Sequence, residues 1–268
     1  MKDITDLALN IRKLSLHMVH RAKASHIGSA LSIADIVAVL YGRALKINPL
    51  DPKMETRDRF ILSKGHACVA VYSALAAKGY FPEAQLEEYA KDHSSMMSHI
   101  SHKVKGVEFS TGSLGHGLPF GTGKALAARK LHQTWRTIVL LSDGELGEGS
   151  NWEAMMFAAH HKLDNLVAIV DYNKLQSLTS VEKTLNLEPL ADKARAFGWA
   201  VREIDGHDHL SILNSLTPKV WEDGKPSFLI AHTTKGKGVS FMENKVEWHY
   251  KSPSDEQLVV ALKELDNA

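Results

Sequence analysis

Two short apolar runs, separated by a glycine-rich turn and a helical segment, constrain the fold of this chain more than any other feature. The first run covers 138–141 and leads into Asp143 and Gly144, and the second covers 166–170 and leads into Asn173. Unbroken apolar runs of this length that stop at a turn are typical of buried parallel strands. The spacing of the two polar residues matches one strand-helix-strand unit. We therefore expect both at the carboxyl edge of a parallel sheet, where open α/β sheets bind ligands.

The polar residues at this edge suit a metal ion that carries a phosphorylated ligand. Carboxylate and amide oxygens bind Mg²⁺ or Ca²⁺. A capping-box pattern, Ser150-Asn-Trp-Glu153, predicts a helix beside the glycine turn, whose free amides would meet an anion. Each feature alone is typical of an ordinary turn or strand end. Together, in register and with Gly147 and Gly149 between them, they favour a divalent cation holding a diphosphate.

The rest of the chain alternates predicted strands and helices. Strands are predicted at 58–63, 138–141, 166–170, 199–204 and 227–232. Helices are predicted at 5–24, 33–45, 67–78, 81–90, 118–131, from Ser150 onward, and at 189–197, 209–216 and 254–266, the second with a capping box at Ser32–Asp35. This alternation predicts an α/β fold, a three-layer, doubly wound parallel sheet covered on both faces. Because there is no repeat, low-complexity tract or linker, we expect residues 1–268 to form a single domain.

Histidines and lysines also follow predicted strand ends and turns. His66 follows the strand at 58–63, His26 lies in a polar turn before Gly28, and His99 lies in the histidine-dense segment 92–110. A histidine at a strand end repeats the placement of Asp143 and favours a binding site over coincidence. The lysines of the segment 233–238 are most simply interpreted as a solvated turn.

Composition narrows the functional classes. A net charge of +1 with interspersed signs gives no reason to expect nucleic acid or an anionic membrane as partner. Cys68 is the single cysteine, so no internal disulfide can form and a reducing compartment is indicated. The N-terminus lacks the apolar core of a signal peptide, and no apolar run reaches 18 residues. We expect a soluble cytoplasmic protein.

Several motifs, spread over essentially the whole chain, resemble those of the transketolase family. Asp143-Gly-Glu-Leu-Gly-Glu-Gly-Ser-Asn-Trp-Glu-Ala154 and Asp171-Tyr-Asn-Lys-Leu175 are similar to its thiamine-diphosphate signature. Further matching motifs are Ser25-His-Ile-Gly28, Ser63-Lys-Gly-His66, Ser98-His99, Thr111-Gly-Ser-Leu-Gly-His-Gly117 and His249. The resemblance implies the thiamine-diphosphate-binding fold.

The resemblance also implies roles for individual residues. The metal, Mg²⁺ with Ca²⁺ or Mn²⁺ as alternatives, would be held by Asp143, Asn173 and the Leu175 carbonyl. Thiamine diphosphate would be bound by His66, Gly112, Leu114, Gly144, Glu148, Asp171 and Asn173. The catalytic histidines around the thiazolium ring would be His26, His66, His99 and His249.

The sequence departs from the family pattern at a few positions. Ser142 stands in place of the first glycine of the signature, and Ile27 replaces a proline. His116 replaces a glutamine, and Ser98-His99-Ile100-Ser101 stands where Gly-His-Pro-Glu is common.

Members of the family continue for several hundred residues into a pyrimidine-binding domain that supplies a catalytic glutamate. We therefore expect this chain to be the N-terminal subunit of a two-chain transketolase, an α2β2 assembly in which Glu148 and Glu153 face that glutamate. The enzyme would move a two-carbon ketol unit from a ketose or ketose phosphate to an aldose. Alternatives are an α-type subunit of a 2-oxo acid dehydrogenase, a relative of deoxyxylulose-phosphate synthase, and a non-catalytic homologue.

Overall fold

A parallel sheet organises the chain in the computed structural model, which describes residues 1–217 and 220–267. Its strands are β1 Arg59–Leu62, β2 Thr137–Ser142, β3 Leu166–Tyr172, β4 Ala200–Asp205 and β5 Ser227–His232. They lie in the order β1-β2-β3-β5-β4, and every neighbouring pair is parallel. The predicted strands are confirmed to within a residue or two at each end.

Helices cover both faces of this sheet. In the described ranges they are α1 Lys2–Ala22, α2 Ile27–Ser32, α3 Ala34–Val39, α4 Cys68–Ala77, α5 Gly117–Lys130, α6 Gly149–His160, α7 Val181–Thr184, α8 Leu190–Ala196, α9 His209–Leu216 and α10 Asp255–Asp266. The predicted three-layer α/β fold is therefore confirmed. Within the described part of the chain, no helix combines the length and apolarity needed to cross a membrane.

Alternate strand residues feed two separate hydrophobic cores. On β2, Ile138 and Leu140 pack into the core beneath α1, α3 and α4, whereas Val139 and Leu141 pack into the core beneath α5, α6 and α8. All four side chains are fully buried. Burying one such side chain stabilises the fold by about 1.5 to 3 kcal/mol relative to leaving it exposed. The central strands are thus apolar on both faces, which explains their unbroken apolar sequence.

The predicted helix at 33–45, with a capping box at Ser32–Asp35, is wrong in its start. The chain forms two short helices, α2 and α3, and then one π-helical turn at Leu40–Ala44. Neither short helix has a side-chain cap, and the Ser32 hydroxyl donates to the Asp171 carboxylate instead. The hydroxyl that the sequence pattern assigned to a helix cap therefore bonds a residue that is distant in the sequence.

The capping box predicted at Ser150–Glu153 is also wrong. Helix α6 begins at Gly149, and its N-cap residue Glu148 makes no side-chain capping bond. The Ser150 hydroxyl donates to the carbonyl of Gly115, 2.7 Å away. Ser150 therefore holds the glycine-rich segment that precedes α5 against the start of α6.

Candidate functional site

A cavity opens at the carboxyl edge of β1, β2, β3 and β5. Its empty space is about 650 Å³, a volume that includes space open to solvent. Its walls come from His26, Ser29, Lys64, His66, His99, Gly112, Leu114, Ser142, Asp143, Gly144, Asn173, Leu175, Gln176, Ser177, Lys235 and His249. Most of the residues proposed for the site from the sequence therefore share this one cavity.

Asp143 lies at the cavity floor, directly after β2. Its side chain is almost wholly buried, and its carboxylate accepts hydrogen bonds from the backbone N–H groups of Gly144 and Lys174. Burial, together with the charge of Asp171, raises the pKa of Asp143 to about 7. A buried carboxylate in this state favours a nearby cation, because a cation stabilises the ionised form.

Asn173 and Leu175 follow β3 and lie beside Asp143 on the cavity wall. The Asn173 side chain is fixed, since its amide N–H group donates to Asp171 at 3.0 Å and its amide oxygen accepts from the Leu175 N–H at 3.0 Å. One carboxylate, one amide oxygen and the Leu175 carbonyl are oxygen donors of the kind that Mg²⁺ and Ca²⁺ prefer. The donor set therefore fits the divalent cation expected from the sequence.

Asp171 lies beneath the cavity and does not line it. Its fully buried carboxylate accepts hydrogen bonds from Lys64, Ser32 and Thr233 as well as from Asn173. Burial alone would raise its pKa, but Lys64 and the hydroxyl donors outweigh burial and hold the pKa below its ordinary value. Asp171 can therefore act on a ligand only by positioning Lys64 and Asn173.

Lys235 corrects the prediction of a solvated turn at 233–238. Its side chain is 1% exposed, and its ammonium donates to the carbonyls of Leu175 and Gln176 and to Nδ1 of His249, at 3.2, 2.9 and 3.0 Å. Burial lowers its pKa to about 8, with the nearby charge of Lys64 as the next cause. Like Asp143, it follows a strand end, and this shared placement could have identified it.

The histidines His26, His66, His99 and His249 come from four distant segments and meet at the other side of the cavity. The ring of His26 lies 5.0 Å from His66, 5.7 Å from His99 and 4.9 Å from His249 between centroids. His26 has a φ of 76°, a left-handed conformation that turns its side chain into the cavity. Its backbone N–H donates to the His249 carbonyl at 2.8 Å.

Burial and neighbouring positive charges keep these imidazoles neutral. Burial is the main cause that lowers the pKa of His26 to about 4 and of His249 to about 3, and Lys235 and Lys64 lower both further. Burial also lowers the pKa of His66 and His99. A neutral imidazole has one nitrogen that donates a hydrogen bond and one that accepts, so the cluster offers both donors and acceptors at neutral pH.

The glycine-rich segment 111–117 forms one wall of the cavity because its backbone lies very close to neighbouring groups. A Cβ atom on Gly117 would lie 2.2 Å from the Ser63 hydroxyl, so only glycine fits there. The N–H of Gly115 donates at 2.9 Å to the buried carboxylate of Glu145, which also accepts from Ser63. Gly112 and Leu114 reach the cavity wall through this anchored segment.

Two glutamates named from the sequence lie outside the cavity. Glu148 is exposed at the start of α6, and Glu153 is exposed one turn later. Neither lines the cavity walls within this chain. Conversely, Ser29, Gln176 and Ser177 line the cavity, although no pattern in the sequence singled them out.

The chain matches the model of a known protein family over almost its whole length. Residues 4–265 match the model of "Transketolase, thiamine diphosphate binding domain". A solved structure of transketolase from Campylobacter jejuni superposes with a TM-score of 0.93 at 32% identity, covering 99% of this chain and 43% of that chain.

Curated relatives include proteins of similar length and others that are much longer. One of the subunits of apulose-4-phosphate transketolase from Phocaeicola vulgatus is 42% identical over 254 residues, 95% of this chain and 90% of that protein. The 6-deoxy-6-sulfo-D-fructose transketolase subunit SqwG of a Clostridium species is 41% identical over 265 residues, 98% of this chain and 96% of that protein. Transketolase of Rattus norvegicus is 35% identical over 252 residues, but these cover only 40% of its length.

Proposed function

The chain belongs to the transketolase family, and from this premise we propose that it is the diphosphate-binding, N-terminal subunit of a two-chain transketolase. The enzyme transfers a two-carbon ketol unit from a ketose or ketose phosphate to an aldose. The observation that carries the proposal is the shared cavity. Metal-type oxygen donors and two buried lysines lie at its floor, and four neutral histidines lie at its side. We further propose that residues 1–268 form one domain, since both hydrophobic cores lie on the same sheet.

The floor of the cavity suits Mg²⁺ and the diphosphate of thiamine diphosphate. Asp143, Asn173 and the Leu175 carbonyl would hold the metal, and oxygens of the diphosphate would complete its coordination. The buried ammonium groups of Lys64 and Lys235 supply positive charge for the same anion. When bound, thiamine diphosphate supplies the carbon nucleophile that cleaves and forms the carbon–carbon bond.

The histidine side of the cavity would handle the substrate's protons. His26, His66, His99 and His249 are neutral at pH 7, so each ring can accept a proton from a sugar hydroxyl or donate a hydrogen bond to it. A bound diphosphate would offset the charges of Lys64 and Lys235. The pKa values of His26 and His249 would then rise toward the ordinary range, where proton transfer is more efficient.

A second chain would complete the site. Two relatives that this chain matches over at least nine-tenths of their length are named as subunits, and the longer transketolases include further sequence. We propose that a separate subunit supplies the catalytic glutamate in an α2β2 assembly, with exposed Glu148 and Glu153 facing it. Sugars or sugar phosphates would be the substrates, as the names of both subunit relatives suggest.

The test is a ketol-transfer assay with a panel of ketose phosphates and aldose phosphates, thiamine diphosphate and Mg²⁺. The chain is assayed alone and after co-expression with the protein encoded beside it. Activity that requires both chains supports the proposal. Activity of the isolated chain would refute the need for a second subunit. No transfer from any donor, despite a stable two-chain complex that binds the cofactor, would contradict the assigned reaction.

A further inference from the structure

The segment 233–238, which follows β5, carries Lys235 into the cavity and is held from both sides. On the cavity side, the Thr233 hydroxyl donates to Asp171, and the Gly236 N–H donates to the Gly28 carbonyl at 3.0 Å. On the far side, the Thr234 N–H donates to Nε2 of His207 at 2.8 Å. The Lys237 carbonyl accepts from Nε of Arg12 at 3.1 Å. The contacts on the far side come from residues outside the cavity.

Asp35 is the common anchor of these outer contacts. Its carboxylate is 5% exposed and accepts hydrogen bonds from Arg12 at 3.1 Å, from Nδ1 of His207 at 2.8 Å and from Nε2 of His209 at 2.8 Å. Burial alone would raise the pKa of Asp35. The hydrogen bonds from both histidines and the charge of Arg12 outweigh burial and hold its pKa well below the ordinary range. Asp35 is therefore an ionised acceptor.

The contacts of His207 determine where its proton resides. Nε2 accepts a hydrogen bond from the backbone N–H group of Thr234, and an N–H group can only donate, so this nitrogen carries a lone pair. The proton of a neutral ring then lies on Nδ1, which faces Asp35. A carboxylate that accepts from one imidazole nitrogen in this way fixes both the tautomer and the ring orientation. His207 is thus oriented to receive the Thr234 N–H.

We propose that His207, oriented by Asp35, is a positioning residue that holds the segment 233–238 so that the Lys235 ammonium lies in the cavity. The effect on cofactor affinity rests on the proposed function, whereas the effect on the segment does not. His207 itself is absent from the cavity wall and acts through Thr234. Its loss should free the segment and weaken the binding of a diphosphate that Lys235 contacts.

His209 provides a matched control. It bonds the same carboxylate at the same distance, but its other ring nitrogen faces the hydroxyl of Thr5 at 3.4 Å. Truncating His209 therefore removes one Asp35 contact without touching the segment 233–238. Any effect specific to His207 must arise from Thr234 and not from a general weakening of the Asp35 cluster.

The variants exploit the different reach of asparagine and glutamine. In His207→Asn the short amide keeps a donor near Asp35 but cannot reach Thr234, whereas in His207→Gln the longer side chain places an oxygen near the position of Nε2. His209→Asn is the control. All three variants are first compared by thermal unfolding with the wild-type chain, so that changes in global stability are known.

The first readout is hydrogen exchange of the Thr234 amide, measured by NMR. We expect His207→Asn to accelerate this exchange roughly tenfold, as loss of one hydrogen bond predicts, and His207→Gln to restore most of the protection. His209→Asn should leave the exchange rate within about twofold of wild type. Equal acceleration in His207→Asn and His209→Asn, or none in either, would overturn the positioning role.

The second readout is calorimetric titration of thiamine diphosphate with Mg²⁺, using the two-chain complex. His207→Asn should weaken binding roughly 5- to 20-fold, with recovery in His207→Gln and no change in His209→Asn. Unchanged affinity in His207→Asn, despite faster exchange at Thr234, would overturn the link to the cofactor. If the wild-type complex bound no cofactor, the proposed function would fail, while the exchange data would still decide the positioning role.

Discussion

The floor and the histidine side of the cavity are built in opposite ways. At the floor and directly beneath it, Asp143, Lys64 and Asp171 are almost fully buried, and each has several hydrogen-bond partners. At the side, His26 and His99 are only partly buried, and within residues 1–217 and 220–267 their rings have no hydrogen-bond partner. One part of the cavity is rigid before any ligand arrives, and the other offers unused donors and acceptors.

This difference separates two tasks that one cofactor enzyme must perform. In the proposed function, a metal ion and a diphosphate would stay bound through many turnovers, and fixed ligands would avoid the cost of ordering them each time. Sugar substrates enter and leave, so the groups that meet them must have free hydrogen-bonding capacity. Changes at the floor should therefore alter cofactor affinity, whereas changes at the histidine side should alter turnover.

The largest expected effect comes from Asp143→Asn in the two-chain enzyme. The amide keeps the shape of the side chain but removes the charge that would hold the metal, so ketol transfer should fall by more than about 10³-fold. The loss should follow from weakened cofactor binding, measured by calorimetry with Mg²⁺ present. Asp143→Asn enzyme with normal affinity and normal turnover would contradict the assignment of the metal to this floor.

The stability of the same variant, measured without metal as a function of pH, tests the raised pKa of Asp143 independently of activity. Because the pKa of Asp143 is about 7 in the folded chain and 3.8 ordinarily, the folded state binds its proton more tightly than the unfolded state. Its contribution to stability is therefore full below about pH 4 and is lost as the pH rises toward 7. At low pH the metal-free Asp143→Asn chain should differ from wild type only through the one backbone N–H bond that the amide NH2 group cannot accept. Between low pH and pH 8 its free energy of unfolding should rise relative to wild type by roughly 4 kcal/mol, measured by urea denaturation.

A smaller effect of a different kind is expected for His26→Asn. Asparagine tolerates the left-handed backbone at this position, so the turn should keep its conformation while the imidazole is lost. We expect kcat to fall about 10²-fold, the usual contribution of a proton-transferring group, with thiamine-diphosphate affinity within about threefold of wild type. A large loss of affinity with unchanged kcat would erase the distinction between the two parts of the cavity.

Lys235→Met tests how the floor acts on the histidines. The charge of Lys235 lowers the pKa of His26, about 4, and of His249, about 3. Replacing it with an apolar side chain of similar length should raise both pKa values toward the ordinary range, most for His249, which Lys235 contacts. NMR titration of the ring protons in the cofactor-free chain measures this shift. Unchanged titration midpoints would show that the charge of Lys235 does not contribute to these pKa values.

The smallest effects separate a serine under the site from a serine at a helix end. Ser32→Ala removes a hydroxyl that donates to the buried Asp171, and Ser254→Ala removes the N-cap of α10, whose capping box is complete. Both should cost about 1 to 2 kcal/mol in the free energy of unfolding. Only Ser32→Ala should also weaken cofactor binding, by roughly threefold, because Asp171 positions Lys64 and Asn173.

The sheet and most of the cavity wall could be predicted from the sequence. Buried parallel strands need continuous apolar runs, and their carboxyl ends share an edge, so Asp143, Asn173 and His66 could be placed from local patterns. Histidines such as His26 and His249, which follow no strand, needed the family resemblance. Their meeting depends on backbone turns that no periodicity encodes.

The predictions from the sequence that proved wrong share a cause. Ser32 and Ser150 fit capping patterns, yet their hydroxyls bond Asp171 and the Gly115 carbonyl. Lys235 resembles a lysine of a solvated turn, yet it is buried against the carbonyl of Leu175. In each case a partner distant in the sequence decides the side chain's role, and local propensity does not include such partners.

The most direct test of the central claim is calorimetric titration of thiamine diphosphate into the two-chain complex, with Mg²⁺ and then with EDTA. The structure of the floor predicts one cofactor per copy of this chain, with affinity at least about tenfold weaker when the metal is removed. Equal affinity with and without Mg²⁺, or no binding in either condition, would contradict a cavity built around Asp143, Asn173 and Lys235.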